Sequence, residues 1–319
     1  MRYRPTSAGR VADARTGSGR LCRVSTSPGP VQLWIEGARP RTLPAAVAPV
    51  LAGTGVAIQA DGFVWWKALL ALGVSLALQI GVNYANDYSD GIRGTDADRV
   101  GPLRLVGSGH VAASKVKAAA LGFLALGGVL GLALAATTTW WLLLVGAAAI
   151  AAAWTYTGGS NPYGYRALGE VSVFVFFGLV AVIGTAYVQT EEVDQASLAA
   201  AIGIGALACA ILVANNLRDI PTDREVGKRT LAVVLGDTGS RRFYLLLIAI
   251  AAGAAVWCAA VTTWWALLAL AAAPLAARAA RVIGSGATGR ELITVLRDSG
   301  LLELVYAIGL AAGLVIGSF

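Results

Sequence analysis

The sequence predicts an all-α polytopic membrane protein, a bundle of about nine transmembrane helices with a cytoplasmic N-terminus. Of its 319 residues, 57% are hydrophobic and only 13% are charged, whereas a soluble domain carries about 25% charged residues. Apolar stretches recur along the chain, and each is close to the roughly 20 residues that cross a bilayer as a helix. Lysines and arginines collect in alternate connections between these stretches. Composition, hydropathy and charge placement therefore agree on this fold class.

Nine apolar stretches predict the helices. Their approximate bounds are 43–59, 64–86, 116–136, 139–157, 171–190, 197–216, 243–261, 263–281 and 300–318. The first stretch contains Pro44 and Pro49, which predicts a kink because proline lacks the N–H that a helix interior uses. Residues 1–30 hold six arginines and no apolar run, so we expect a flexible cytoplasmic tail there rather than a secretory signal. Residues 31–319 are expected to form one intramembrane domain.

The basic residues predict the orientation of the bundle. Of the 25 lysines and arginines, 24 lie in or beside the N-terminal segment and alternate connections, and Lys67 is the exception. The positive-inside rule makes that side cytoplasmic. This placement also accounts for the net charge of +7, so no nucleic-acid partner is expected.

Side chains for thiol or imidazole chemistry are scarce. Cys22, Cys209 and Cys258 are far apart, and His110 is the single histidine. This spacing excludes a disulfide framework and a CxxC metal site, and it disfavours a Ser-His-Asp triad. A bound metal would need oxygen ligands, which favours a hard cation such as Mg²⁺.

Two long cytoplasmic connections repeat one acidic pattern, an asparagine four residues before an aspartate at the end of an apolar stretch. The pairs are Asn86 with Asp90 and Asn215 with Asp219. On a helix this spacing puts both side chains on one face. Carboxylates at the C-terminal end of a helix face the negative end of its dipole, which is unfavourable unless a cation is bound. We therefore expect a divalent metal between the two acidic ends.

Neighbouring residues extend both patterns. Asn83 adds an i, i+3, i+7 stripe with Asn86 and Asp90, and Asp223 continues the second pattern if its helix passes Pro221. Basic side chains share the same two connections, at Arg93, Arg99, Arg104, Arg218, Arg224, Lys228 and Arg229. Acidic and basic groups together suit a Mg²⁺-bound polyphosphate, because the bases take the outer oxygens. The alternative to a metal–diphosphate site is that these connections are ordinary solvated cytoplasmic loops, whose charges follow from the membrane topology and pair in salt bridges.

A third segment, 156–166, links two of the apolar stretches. Glycines and a proline predict a structured turn, and Tyr156, Tyr163, Tyr165 and Arg166 are placed to face an aromatic or anionic substrate. An interfacial aromatic belt is the alternative for the later two tyrosines. Glu303, near the start of the last stretch, is expected at the membrane interface.

With these segments in view, residues 31–319 resemble the UbiA superfamily of intramembrane prenyltransferases. That family carries an N-D-x-x-D element near its second helix and an N-x-x-x-D-x-x-x-D element near its sixth, in a bundle of about nine helices. Here the elements are NDYSD at 86–90 and NNLRDIPTD at 215–223. Longer strings, WIEGARPRTLP, RVGPLRLV and YTGGSNPYGYRALGE, are similar to members that act on 1,4-dihydroxy-2-naphthoate in menaquinone biosynthesis.

The resemblance implies a reaction and a set of site residues. A polyprenyl chain would pass from polyprenyl diphosphate to 1,4-dihydroxy-2-naphthoate, with loss of diphosphate and CO₂, giving demethylmenaquinone at the cytoplasmic face of a bacterial plasma membrane. The Mg²⁺ or diphosphate residues would be Asn86, Asp87, Asp90, Asp96, Asn215, Asp219 and Asp223, with Asp90, Asp219 and Asp223 as the catalytic carboxylates. The substrate-binding candidates are Asn83, Asn86, Arg93, Arg104, Tyr156, Arg166, Asn215, Arg218, Arg224 and Lys228.

Two other functions stay open from the residues alone. The acidic elements do not distinguish 1,4-dihydroxy-2-naphthoate from another aromatic acceptor such as 4-hydroxybenzoate, although the longer strings favour the naphthoate. Intramembrane acids also occur in ion-coupled transporters. Transporters place such groups near the midplane on broken helices, whereas these acids lie at the cytoplasmic helix ends.

Overall fold

The computed structural model describes residues 29–94 and 104–319, so most of the predicted tail at 1–30 lies outside the described residues. Within those ranges the regular elements are all helices. In chain order the longer ones are α1 (Pro30–Ala38), α2 (Pro44–Gln59), α3 (Trp65–Arg93), α4 (Ala113–Ala136), α5 (Leu142–Thr155), α6 (Gly169–Val173), a π-helix (Phe174–Ile183), α7 (Gly184–Thr190), α8 (Gln195–Glu225), α9 (Leu231–Val261), a 3₁₀ helix (Trp264–Ala272), α10 (Ala273–Gly284) and α11 (Leu292–Ile316). Short 3₁₀ helices lie at Pro40–Thr42, Tyr163–Tyr165 and Gly289–Glu291.

Each of the nine predicted stretches coincides with a helical segment. Seven segments of the described chain are long and apolar enough to cross a membrane. The first stretch belongs to a pair of helices, Pro30–Thr42 and Pro44–Gln59, bent by 49°. The predicted kink therefore lies at Pro44, whereas Pro49 is accommodated inside α2. α5 has only 14 residues, so the count of nine holds for helical segments and is approximate for spans.

Four helices clearly exceed the apolar stretches that predicted them. α3 runs to Arg93, α8 runs to Glu225, and α11 begins at Leu292. α9 begins at Leu231, with a kink at Gly236. Apolar length alone underestimates them because their ends are polar and extend past the hydrocarbon core. The acidic elements accordingly lie on helices, and α8 continues through Pro221, which places Asn215, Asp219 and Asp223 on one stripe.

α8 forms the centre of the bundle. In the most apolar part of this helix 78% of the residues are buried, a larger share than in any other candidate membrane span of the described chain. Its side chains form the main core with α9, α11, α2 and the π-helix. The crossing with the π-helix is close: a Cβ added to Gly178 would lie 2.7 Å from the Gly205 Cα, so glycine at both positions permits backbone contact. The central position of α8 fixes its acidic end relative to its neighbours.

Glu303 does not lie where we expected it. The side chain sits roughly three turns inside α11 and is fully buried among the apolar residues of the core. Neither of its carboxylate oxygens has a hydrogen-bond partner among the described residues. The expectation of an interfacial glutamate is therefore wrong, because α11 begins well before the apolar stretch that we used to place it.

Candidate active site at the ends of α3 and α8

The end of α3 presents one buried carboxylate to the site. Asp90 is 4% exposed. Its Oδ1 accepts a hydrogen bond of 2.8 Å from the Tyr165 hydroxyl, and its Oδ2 lies 3.7 Å from Arg104 Nη2. A buried carboxylate is stable only when charged or hydrogen-bonding partners surround it, and these two partners come from separate loops.

The end of α8 presents two more carboxylates. Arg218 binds Asp219 in a bidentate manner, at 2.7 Å from Nε to Oδ1 and 2.8 Å from Nη2 to Oδ2. The same guanidinium donates to Asn215 Oδ1 at 2.9 Å. One turn further on, Asp223 faces Lys228 Nζ at 3.9 Å and the Thr230 hydroxyl at 3.4 Å. Both aspartates are buried, so their negative charge is neutralised inside the protein and not by water.

Tyr165 connects the two helix ends. Its hydroxyl donates to Asp90 on α3, while its ring lies 5.0 Å from Lys228 Nζ, the ammonium that faces Asp223. The other neighbour of the ring is Arg93, with the guanidinium carbon 5.6 Å from the ring centroid. Both distances are within the range of cation–π attraction. One aromatic side chain thus contacts the acidic end of α3 directly and the acidic end of α8 through Lys228.

Backbone contacts hold Tyr165 in place. The Arg229 N–H donates to the Tyr165 carbonyl at 3.2 Å, and the Ala167 N–H donates to the Arg229 carbonyl at 2.8 Å. Arg93 donates to the carbonyls of Thr157 and Gly159. The 157–167 segment is therefore attached to α3 on one side and to the connection after α8 on the other.

Two predicted site residues have structural partners instead. Both oxygens of Asp87 accept backbone N–H bonds, from Leu105 at 2.8 Å and Val106 at 3.0 Å. Asn83 donates to the Ala38 carbonyl at 2.9 Å and to Thr42 Oγ1 at 3.0 Å. These bonds hold the connection after α3, and the bend before α2, against α3. The roles predicted for Asp87 at the metal or diphosphate and for Asn83 in substrate binding stay predictions.

The remaining candidates differ in exposure. Asn86 is half-buried, and its Oδ1 accepts a 2.7 Å bond from the Thr157 hydroxyl. Arg166 and Arg224 are exposed at the rim. Asp96 lies outside the described residues, as does Arg99.

The tyrosines of the 156–166 segment have three different environments. The Tyr163 hydroxyl lies 2.9 Å from the Ala152 carbonyl oxygen and 2.8 Å from Ser172 Oγ. Tyr163 therefore anchors the segment to α5 and α6. Tyr156 packs edge-on against Tyr163 with ring centroids 5.5 Å apart. The sequence places Tyr165 either against a substrate or in an interfacial aromatic belt, and it does not predict the bond from Tyr165 to Asp90.

The donor set fits a hard divalent cation shared with a substrate. In the described part of the chain, no three histidine, cysteine or acidic side chains converge as a complete metal site. Mg²⁺ is usually held by only one or two carboxylates together with phosphate oxygens and water. Asp90, Asp219 and Asp223 with the two asparagine oxygens provide that kind of partial ligand set, and Arg218 and Lys228 now balance the charge of the α8 carboxylates.

Comparison with known proteins agrees with the fold and with the family resemblance. The model of the UbiA prenyltransferase family matches residues 46–288. The chain is 58% identical to 1,4-dihydroxy-2-naphthoate octaprenyltransferase of Mycobacterium tuberculosis, over 89% of this chain and 97% of that protein. It is 41% identical to the enzyme of the same name from Escherichia coli, over 67% of this chain and 71% of that one.

Solved structures share the architecture. A UbiA homolog from Archaeoglobus fulgidus bound to GPP and Mg²⁺ aligns with a TM-score of 0.65 at 16% identity, covering 89% of this chain and 99% of that one. At this identity the match supports the fold alone. The family match over most of the chain and the high identity to the bacterial relatives lead to one conclusion: the chain belongs to the UbiA prenyltransferase family.

Proposed function

We propose that this protein transfers a polyprenyl chain from polyprenyl diphosphate to 1,4-dihydroxy-2-naphthoate, with loss of diphosphate and CO₂. The observation that carries the proposal is the connection through Tyr165, which joins Asp90 to the Lys228–Asp223 pair. It makes the two acidic helix ends one site with both acids and bases, as a metal-bound diphosphate requires. The choice of acceptor rests on the relatives, which are named for that naphthoate.

We further propose that the site uses Mg²⁺ and opens to the cytoplasm. Asp90, Asp219 and Asp223, with the amide oxygens of Asn86 and Asn215, would hold the ion. When bound, Mg²⁺ adds positive charge where the leaving diphosphate develops negative charge. The Archaeoglobus fulgidus neighbour bound to GPP and Mg²⁺ supports a divalent metal. The cytoplasmic orientation is supported by 24 of the 25 basic residues falling on that side.

The basic side chains have a second task in this proposal. Arg218 and Lys228 are paired with Asp219 and Asp223. If those carboxylates held a cation, the guanidinium and the ammonium would be free to bind the phosphate oxygens. Arg104, beside Asp90, is placed to act in the same way. Fixed positive groups that face the leaving group stabilise the transition state without reorganisation.

The remaining steps depend more on the exclusion of water than on further catalytic side chains. The allylic C–O bond of the prenyl diphosphate breaks, and its electron pair leaves with the diphosphate. The ring carbon that bears the carboxylate forms the new C–C bond, and the C–CO₂ bond pair returns to the ring as CO₂ departs. No proton has to be removed from that carbon. The apolar bundle excludes water from the allylic cation. The product of the transfer is the prenylated hydroquinone, and its two-electron oxidation to demethylmenaquinone needs an external oxidant such as dioxygen and is not part of this reaction.

The test is an assay of purified protein in lipid vesicles with polyprenyl diphosphate, 1,4-dihydroxy-2-naphthoate and excess Mg²⁺. We expect CO₂ and the prenylated naphthohydroquinone, measured together with the quinone that forms from it in air, in equal amounts. Both should be lost with EDTA and recovered when Mg²⁺ is restored. Prenylation of 4-hydroxybenzoate but not of the naphthoate would contradict the acceptor and leave the diphosphate site intact. Folded protein that is inactive with every aromatic acceptor would contradict the prenyl-transfer proposal and favour ion transport.

A further inference from the structure

A buried glutamate lies beside the site and has no part in the chemistry described so far. Glu170, in the first turn of α6, is 4% exposed. Its Oε1 accepts a 3.0 Å hydrogen bond from Asn216 Nδ2 on α8. Its Oε2 is buried and has no hydrogen-bond partner among the described residues. A carboxylate oxygen left in this state is costly to bury, and a ligand that donates a hydrogen bond to it would remove that cost.

Glu170 lies beside the face of α8 that carries Asp219 and Asp223. Its partner Asn216 precedes Asp219 by three residues and Asp223 by seven, so all three lie on the same face of the helix. With a rise of 1.5 Å per residue, Asn216 lies about 4.5 Å further into the bundle than Asp219. A prenyl diphosphate held by the aspartates would extend its reacting carbon in this direction. The unpaired oxygen is therefore near the place where an acceptor must meet that carbon.

An aromatic and apolar wall surrounds this position. A Cβ added to Gly169 would lie 3.1 Å from the Tyr156 hydroxyl and 3.3 Å from Leu212 Cδ2. A Cβ on Gly164 would lie 3.2 Å from Tyr156 Cζ. The tyrosine ring is thus packed against two glycines beside Glu170. A flat ring can stack or pack edge-on against such a surface.

We propose that Glu170 binds the aromatic acceptor, with Oε2 accepting a hydrogen bond from a ring hydroxyl and the Tyr156 ring packing against the acceptor. The proposal rests on the proposed function and adds to it the acceptor subsite. A carboxylate oxygen selects a hydroxylated ring because it accepts a hydrogen bond from O–H. The hydrogen bond also donates electron density to the ring, which favours attack by the carbon next to the hydroxyl. Asn216 acts as a positioning residue that orients the carboxylate.

The test compares two ligands that differ only in their hydroxyl groups. The affinities of 1,4-dihydroxy-2-naphthoate and of 2-naphthoate are measured by fluorescence titration in lipid nanodiscs, for wild type and Glu170→Gln. Gln keeps the size of the side chain and the contact with Asn216 but places an N–H₂ donor where Oε2 was. We expect the variant to bind the dihydroxy ligand about 10- to 100-fold more weakly, the range for a hydrogen bond to a charged group. Affinity for 2-naphthoate and the KM for prenyl diphosphate should change less than about threefold.

Control variants separate recognition from folding. Glu303→Gln changes another buried carboxyl on a neighbouring helix and should leave the preference between the two naphthoates unchanged. Asn216→Leu removes the bond that orients Glu170 and should reduce that preference without the charge change, so it tests the proposal even if Glu170→Gln folds poorly. Equal weakening of both ligands in Glu170→Gln, or no weakening, would overturn the subsite. Wild type that prenylates a different hydroxylated ring would refute the naphthoate assignment only, and the same comparison would then be made with that ring and its dehydroxylated analogue.

Discussion

Replacing Asp219 with Asn is expected to lower kcat/KM for prenyl transfer by at least about a thousandfold, because several kcal/mol of transition-state stabilisation depend on the charge held there. Asn preserves the size of the side chain and one acceptor oxygen but removes the negative charge. Asp90→Asn, at the end of α3, is expected to have an effect of the same size. Both are measured as initial rates in lipid vesicles, with expression and unfolding temperature followed in parallel.

Glu225→Gln is the matched control for these variants. Glu225 is an exposed carboxylate on the last turn of α8, two residues beyond Asp223, and its charge lies outside the proposed ligand set. We expect activity within about twofold of wild type, since surface substitutions away from a site are usually near neutral. Near wild-type activity in Asp219→Asn or Asp90→Asn would refute the assignment of these aspartates to the metal site.

Removing the side chain that joins the two helix ends is expected to have the second largest effect. Tyr165→Phe deletes only the hydroxyl bond to Asp90 and should lower kcat/KM by about 10- to 100-fold, the cost reported for partners that orient a metal ligand. Tyr165→Leu also removes the ring beneath Lys228 and Arg93 and should raise the KM for prenyl diphosphate further. Steady-state kinetics over a range of Mg²⁺ concentrations measure both effects.

Tyr163→Phe provides the comparison within the same segment. Its hydroxyl contacts the Ala152 carbonyl and Ser172, away from the carboxylates, so we expect lower thermal stability and an unchanged KM for prenyl diphosphate. If Tyr165→Phe and Tyr163→Phe behaved alike, the contact between Tyr165 and Asp90 would have no special role in the site.

The sequence predicted the helical bundle and the two acidic elements because local patterns encode both. Apolar runs of near-constant length specify the spans, and an asparagine four residues before an aspartate specifies a helix face. The continuation of α8 past Pro221 was not settled by the sequence, since a proline there removes one backbone donor without requiring the helix to end. The structure shows a continuous helix to Glu225, which strengthens the case for a single acidic stripe.

The roles that the sequence missed depend on contacts between distant segments. Tyr165 and Asp90 are 75 residues apart in sequence, and no periodicity relates them. Asp87 carries the same charge as Asp90 and lies three positions before it, yet its oxygens bind the backbone of residues 105 and 106. Glu170 and Glu303 are single carboxylates in apolar surroundings, and their unpaired oxygens are visible only after the helices pack.

Binding of an unreactive prenyl thiolodiphosphate, measured by calorimetry with and without Mg²⁺, tests most directly whether the two helix ends form one site. The experiment uses wild type, Asp90→Asn, Asp219→Asn and the double variant. A shared site predicts Mg²⁺-dependent binding in wild type, loss of that dependence in either single variant, and little further loss in the double variant, because coupled residues are non-additive. Independent, additive losses, or metal-dependent binding that survives one of the single variants, would contradict the account.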